Sequence, residues 1–353
     1  AGNARRTGIR AAAVAPLPDR ETRGDPMQIG RRAALRGAGV AALARPAMAR
    51  AQAGWQPSKP VTWIVPGGPA SVLDVGARLI AQKMGPVLGQ QVVVENRTGA
   101  GGTIAATQAA RAAPDGHTVF YGNFAVFGIA PFLFRNLPWD ARRDFAPIHG
   151  IGASANIIVG APDRPWKTIQ ELIAWSRANP GRIAFAGGVG SGQHMAAELF
   201  LSVTGLEWTF VPYANTVQAL TDIAAGRLDV MFDYPLSSLP FVRDNRLRAL
   251  GINAKERLTI AAGIPTLDEQ GVKGAELLGW AGLYTVARTP APAIAKLAEV
   301  VHVALRDPEV IAMFNSTGTI LWPDVDAAKL ARALDEEIPR MQALIARTGI
   351  QAQ

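Results

Sequence analysis

From Trp55 onward the chain alternates two hydrophobic rhythms. Short runs rich in β-branched and aromatic residues have the length and composition of strands. They are "VTWIV" (61–65), "QVVVEN" (91–96), "TVFYGN" (118–123), "ANIIVGA" (155–161), "RIAFAG" (182–187), "WTFVPY" (208–213), "LDVMFD" (228–233), "RALGIN" (248–253) and "LYTVA" (283–287). Between most of them apolar residues recur three and four apart, as Val75, Leu79, Ile80, Met84 and Val87 do. That spacing makes the apolar stripe of a helix lying on a sheet. Strands alternating with such helices predict parallel sheets covered on both faces, and so an α/β fold.

Helix punctuation supports these boundaries. Thr168 precedes Glu171 by three residues, a capping-box pattern, and that helix should end at Asn179-Pro180-Gly181. Asp307 before Pro308 reads as an N-cap followed by proline at the first helical position. The last helical pattern, 327–346, has Arg347 at its end and stops before Gly349; Pro339 inside it is expected to kink or split it. Two extended stretches, 146–161 and 246–253, bracket a self-contained set of strand–helix units. If each crosses between lobes, one lobe comprises 54–153 plus 249–353 and the other 154–248. Ligands in such sheets meet the carboxyl ends of strands and the amino ends of helices, so the expected site is the cleft between the lobes.

At 353 residues, 49% hydrophobic and 18% charged, the chain can build a substantial core and does not have the composition of a disordered protein. Its formal charge of +8 invites a nucleic-acid reading until the charge is located. Ten of the 36 basic residues, but only three of the 28 acidic ones, precede Gly54. The rest is nearly balanced, and no nucleic-acid partner is expected. The basic segment from Met27 has an Arg31-Arg32 head, a weakly apolar Ala/Val/Leu stretch, and Ala-x-Ala pairs at Ala47/Ala49 and Ala49/Ala51. That is the layout of an export signal over 27–53, twin-arginine-like and cleaved near Ala49 to Ala53. Residues 1–26 fit no part of a signal and are expected to be non-structural upstream sequence. With no cysteine, thiolate nucleophiles, disulfides and Cys-ligated metals are excluded, and a periplasmic home remains compatible.

Catalytic motifs fail one by one. No lysine follows a glycine, which removes a Walker-type phosphate loop. In "TGAGGTIAA" the dinucleotide spacing would require glycine at Ile104. "AGGVGSGQH" suggests a nucleophile elbow at Ser191, but Val189 stands where the motif needs glycine. The four histidines, His117, His149, His194 and His302, have no metal-ligand spacing. The acidic run Asp335-Glu336-Glu337 reads as a solvated helix face. No cofactor, metal or catalytic residue is expected.

Several separate stretches carry one resemblance. "IVPGGPASVLDVGARLIAQKMGPVLGQQVVVENRTGAGGTIAATQAARAAPDGHTVFYGN" is followed by "LPWDARRDFAPI", "IQELIAWSRANPGRIAFAGGVGSGQHMAAELF", "VPYANTVQALTDIAAGRLDVMFD" and "LRALGINAKER". Together with "IPTLDEQGV" and "DPEVIAMFNSTG", they resemble the extracytoplasmic solute receptors of tripartite tricarboxylate transporters, the Bug family. The resemblance implies two Rossmann-like lobes of the type II periplasmic-binding-protein kind. They would close over a small carboxylate or related solute and deliver it to the transporter's membrane subunits, the receptor itself being a monomer. It places ligand contacts in a first loop with Pro69, Ala70, Ser71 and Asp74, where Ala70 and Ser71 replace the family's glycine pair. A second loop carries Gly188, Gly190, Ser191, Gln193 and His194. Tyr213 and Asn215 follow the "WTFVP" strand, and Asn123, Phe124 and Asp233 stand at strand ends. The corner "VENRTGAGG" is expected to be architectural. Two other classes stay open, a receptor serving a sensory system and a periplasmic hydrolase with Ser191 as nucleophile.

Overall fold

A computed structural model of the protein describes residues 54–350. The expected export signal and the segment before it lie outside the described residues. Eleven strands among the described residues form two sheets.

The first sheet contains β1 (Val61–Val65), β2 (Val92–Asn96), β3 (Thr118–Asn123), β4 (Phe145–Ser154), β10 (Gly279–Val286) and β11 (Thr319–Leu321), in the order β11-β4-β10-β3-β1-β2. The second contains β5 (Ile157–Gly160), β6 (Ala184–Gly187), β7 (Thr209–Pro212), β8 (Val230–Asp233) and β9 (Arg248–Ile252), in the order β7-β6-β8-β5-β9. All nine runs read as strands contain one, though the "LYTVA" strand begins earlier, at Gly279. β9 spans the boundary expected at 248/249 and pairs with β5 as an edge of the second sheet. The chain passes between sheets at Ala155-Asn156, and again between Ile252 and Gly279.

The sheets are not wholly parallel, which corrects one expectation. β1 pairs in parallel with β2 and β3, and β6 with β7 and β8, each joined through a crossover helix. β10 runs antiparallel to β3 and β4, β11 to β4, and β5 to β8 and β9. β5 and β10 arrive from the other sheet rather than through a right-handed crossover on their own, so nothing binds them to the parallel sense. β4 was legible only as extended chain, because Gly150 and Gly152 interrupt its apolar pattern. Both glycines admit close neighbours: a Cβ on Gly150 would lie 2.7 Å from Val325, and one on Gly152 2.7 Å from the Ile320 carbonyl.

The helices are α1 (Val72–Leu88), α2 (Thr103–Ala110), α3 (Ala130–Leu133), α4 (Ile169–Ala178), α5 (Gly192–Thr204), α6 (Thr216–Ala224), α7 (Pro235–Arg243), α8 (Ala291–Ala304), α9 (Pro308–Thr317) and α10 (Ala327–Thr348). Thr168 and Asp307 cap α4 and α9 as read from the sequence. α10 is not split at Pro339. The proline lacks the N–H that would reach the Asp335 carbonyl one turn back. Arg142 supplies a substitute: its Nη2 donates to that carbonyl at 3.2 Å, while its Nε pairs with the Asp335 carboxylate at 2.7 Å. The corner after β2 is held by Gly99, Gly101 and Gly102, all at positive φ. A side chain on Gly102 would strike Val126 at 2.6 Å, so close packing fixes this corner as well as backbone freedom.

The two passages between sheets are stitched by a buried asparagine pair. Asn253 Oδ1 accepts from the Asn156 backbone N–H at 2.6 Å, and its amide donates to the Leu277 carbonyl at 3.0 Å. One apolar cluster continues across both sheets, from Phe120 and Phe127 to Phe185, Phe200 and Phe232.

Candidate functional site

Between the sheets lies a cavity of about 470 Å³. The first sheet and its helices contribute Tyr121, Asn123, Gly152, Ser154, Trp280 and neighbours; the second contributes Gly192, Gln193, Thr216, Tyr234, Leu236 and Ser237. No lining residue carries a formal charge.

The polar character comes from helix beginnings. At α1, α5 and α6, the capping side chains of Ser71, Ser191 and Asn215 each accept the third backbone N–H, from Asp74, His194 and Gln218. Asn123 does the same for Val126 in the π-helical turn Phe124–Ile129 after β3. The first two N–H groups of a helix have no carbonyl one turn back. Here those positions are Val72 and Leu73, Phe124 and Ala125, Gly192 and Gln193, and Thr216, all of which line the cavity. Four helical starts therefore turn unused donors and partial positive charge toward one space.

The fifth start is different. Tyr234, the N-cap residue of α7, makes no side-chain cap, and Pro235 brings no N–H. One residue earlier, Asp233 is fully buried. Its Oδ2 accepts from Ser237 Oγ at 2.5 Å, while Oδ1 has no hydrogen-bond partner. An unsatisfied buried acceptor costs on the order of 1–3 kcal/mol. Burial pushes the carboxyl up to about 6, against the Ser237 hydroxyl, the Tyr234 N–H and the nearby Gln193 amide, which hold it down. Tyr234 is densely surrounded although its ring reaches the cavity, and burial pushes its phenol up to about 12, so it stays neutral.

The residues expected from sequence separate into three groups. Asn123, Phe124 and Gln193 line the cavity. Ser71, Ser191, Asn215 and Asp233 lie immediately behind lining residues, as caps or as a buried brace. Pro69, Ala70, Asp74, Gly188, Gly190, His194 and Tyr213 do not line it.

Most members of that last group have another local task. Asp74 accepts from the Ala70 N–H at 2.8 Å and the Asn96 amide at 2.9 Å, and pairs with Arg78 at 2.9 Å. Burial opposes its ionisation, but the Ala70, Asn96 and Arg78 donors prevail and hold the carboxyl below its usual range. Ala70 itself sits at φ 62°, a conformation better suited to glycine. His194 is buried, stacks on Phe210 at 3.8 Å, and accepts the Gly190 N–H through Nδ1 at 3.2 Å. With that nitrogen engaged and Ser191 Oγ accepting the His194 N–H, the loop has the bonding of a helix cap. Tyr213 donates to Asp222 at 2.7 Å. Sequence reasoning missed Thr216, Tyr234, Ser237 and Trp280; the Tyr-Pro pair ahead of Ser237 was a readable helix-start signal.

Two α/β lobes around an uncharged cavity ringed by helix starts define the architecture of a solute-binding protein. The chain belongs to the tripartite tricarboxylate transporter family of receptors, whose family model matches residues 76–350. A Pseudomonas sp. (strain P51) protein, "UPF0065 protein in tcbD-tcbE intergenic region", is 33% identical over 93% of this chain and 97% of its own length. MatC from Rhodopseudomonas palustris with bound malate is similar in structure, with TM-score 0.68 and 31% identity over 82% of this chain and 99% of that one. R. palustris Rpa4515 with adipate has TM-score 0.72 and 27% identity over 84% and 99%. Members of this family are periplasmic binding proteins and solute receptors, as the similar structure of the periplasmic binding protein BugD illustrates. Among the described residues no helix is long and apolar enough to cross a membrane.

Proposed function

We propose that this receptor captures a small organic carboxylate in the inter-sheet cavity by closure of its lobes and hands it to the membrane subunits of a tripartite transporter, with no chemical step. The observation that carries this reading is the convergence of four helix starts whose caps spare the first two N–H groups. Such donors hold an anion without a cationic side chain and without burying an uncompensated charge. The malate and adipate of the R. palustris relatives are carboxylates, which supports the same class here.

We further place one lobe at 54–153 plus the chain after the second passage, and the other from Asn156 through β9. A ligand touching both walls selects the closed arrangement because it gains contacts there that it lacks when the lobes part. The protein works as a monomer exported to the periplasm through the twin-arginine-like segment 27–53.

The test is calorimetric titration of the purified receptor, unfolded and refolded to strip carried-over solute, with mono-, di- and tricarboxylates and neutral amides of matched size. Saturable binding confined to carboxylates is expected. Binding of the neutral amides with no carboxylate binding would overturn the reading.

A further inference from the structure

The wall of the cavity beside α7 differs from the other helix starts in one respect: the chain has already placed its own anion there. Asp233 is fully buried and has no ion-pair partner among the described residues. Asp74, the acidic residue in the first turn of α1, is instead balanced by Arg78. Both polar side chains that separate Asp233 from the cavity, Ser237 and Gln193, are lining residues.

The hydrogen-bonding capacity of Ser237 is set by what lies behind it. Ser237 has one hydroxyl proton and donates it to Asp233 Oδ2, with the Tyr234 carbonyl as a second acceptor at 3.2 Å. Only lone pairs remain for the cavity. Asp233 Oδ1 is unpartnered. A second carboxylate placed here would meet lone pairs and a buried negative charge.

We infer that Ser237, oriented by Asp233, is an acceptor in the α7 wall that selects carboxylates carrying a hydrogen-bond donor, a hydroxyl or an amide N–H. This subsite rests on the carboxylate reading above and sharpens it. The carboxylate goes to the starts of α1, α5, α6 and the turn after β3, and the donor group points to α7. Asp233 is a positioning residue. It touches the solute only through Ser237.

The experiment is a set of matched pairs, dicarboxylates and monocarboxylates of three to eight carbons with and without one hydroxyl, titrated against wild type and the Asp233→Asn and Ser237→Ala variants. In wild type the hydroxylated member of the pairs that bind should be about tenfold tighter than its parent. In Asp233→Asn the buried charge is gone while Ser237 Oγ can still donate to the Tyr234 carbonyl at 3.2 Å, so the preference should shrink without reversing. Ser237→Ala, which leaves Asp233 in place, should lose most of the preference, and it decides the matter if Asp233→Asn does not fold. Parent acids that bind as tightly as their hydroxylated partners would overturn the acceptor subsite alone. No binding by any acid would overturn the carboxylate reading, and this inference with it.

Discussion

Gly190 is a point where the two walls touch. The glycine lies in the loop between β6 and α5 at φ 65°, and a Cβ built on it would stand 2.2 Å from Leu133 Cδ1, on the opposite side of the inter-sheet space. Ordinary carbon contact begins near 3.4 Å, so Gly190→Ala requires more than 1 Å of relief. The substitution has two costs that separate cleanly. The left-handed backbone costs an alanine about 1–2 kcal/mol whether the lobes are open or shut. The collision with Leu133 arises only when they are shut, and overpacking of this kind costs about 1–3 kcal/mol. The first lowers the melting temperature without touching affinity. The second reduces the closed population and should weaken solute binding roughly 5- to 100-fold. Calorimetric titration with a carboxylate that binds wild type, alongside urea unfolding, reads both. The Gly190→Ala/Leu133→Ala double variant should recover affinity to within a few fold while keeping the backbone cost. Wild-type affinity in the single variant would show that Leu133 swings aside and that this contact is no part of closure.

Other consequences follow from particular residues. The raised carboxyl of Asp233 takes up its proton more readily in the folded state, so its stabilising contribution is complete below about pH 3.8 and disappears as the pH rises through about 6. The urea stability of wild type relative to Asp233→Asn should therefore fall by on the order of 3 kcal/mol between pH 4 and pH 7, and a flat difference would remove the burial argument. Ala70→Gly relieves a left-handed alanine and should raise stability by up to about 1 kcal/mol in thermal unfolding; a lower melting temperature would count against that strain. Arg142→Ala removes an exposed hydrogen bond and ion pair at Asp335 and should cost no more than about 1 kcal/mol, a smaller loss when Pro339→Ala returns the backbone N–H, with additivity of the two changes as the contrary result.

The architecture was legible because its signals are local. β-branched runs and helical stripes are written in a few consecutive residues, and so are the caps at Thr168 and Asp307. Strand direction was not, since the antiparallel entry of β5 and β10 depends on which sheet the chain has just left. The fate of Pro339 also required a distant partner, an arginine 193 positions from Asp335 in sequence. In the site, the loops were readable but the division of labour was not. Ser71, Ser191 and Asn215 announce helix starts in sequence, yet whether a cap or the residue after it faces the cavity depends on the turn of the helix in three dimensions. Asp233 was visible as a strand end; that Ser237 would consume its hydroxyl proton on it was not.

The central claim is that backbone donors at helix starts hold the solute. It is tested most directly by amide chemical shifts of deuterated, ¹⁵N-labelled receptor during titration with the carboxylate that binds. Downfield movement concentrated at Val72, Leu73, Phe124, Ala125, Gly192, Gln193 and Thr216 is the expected result. Saturable binding that leaves these amides in place and moves resonances around surface arginines or lysines instead would contradict it.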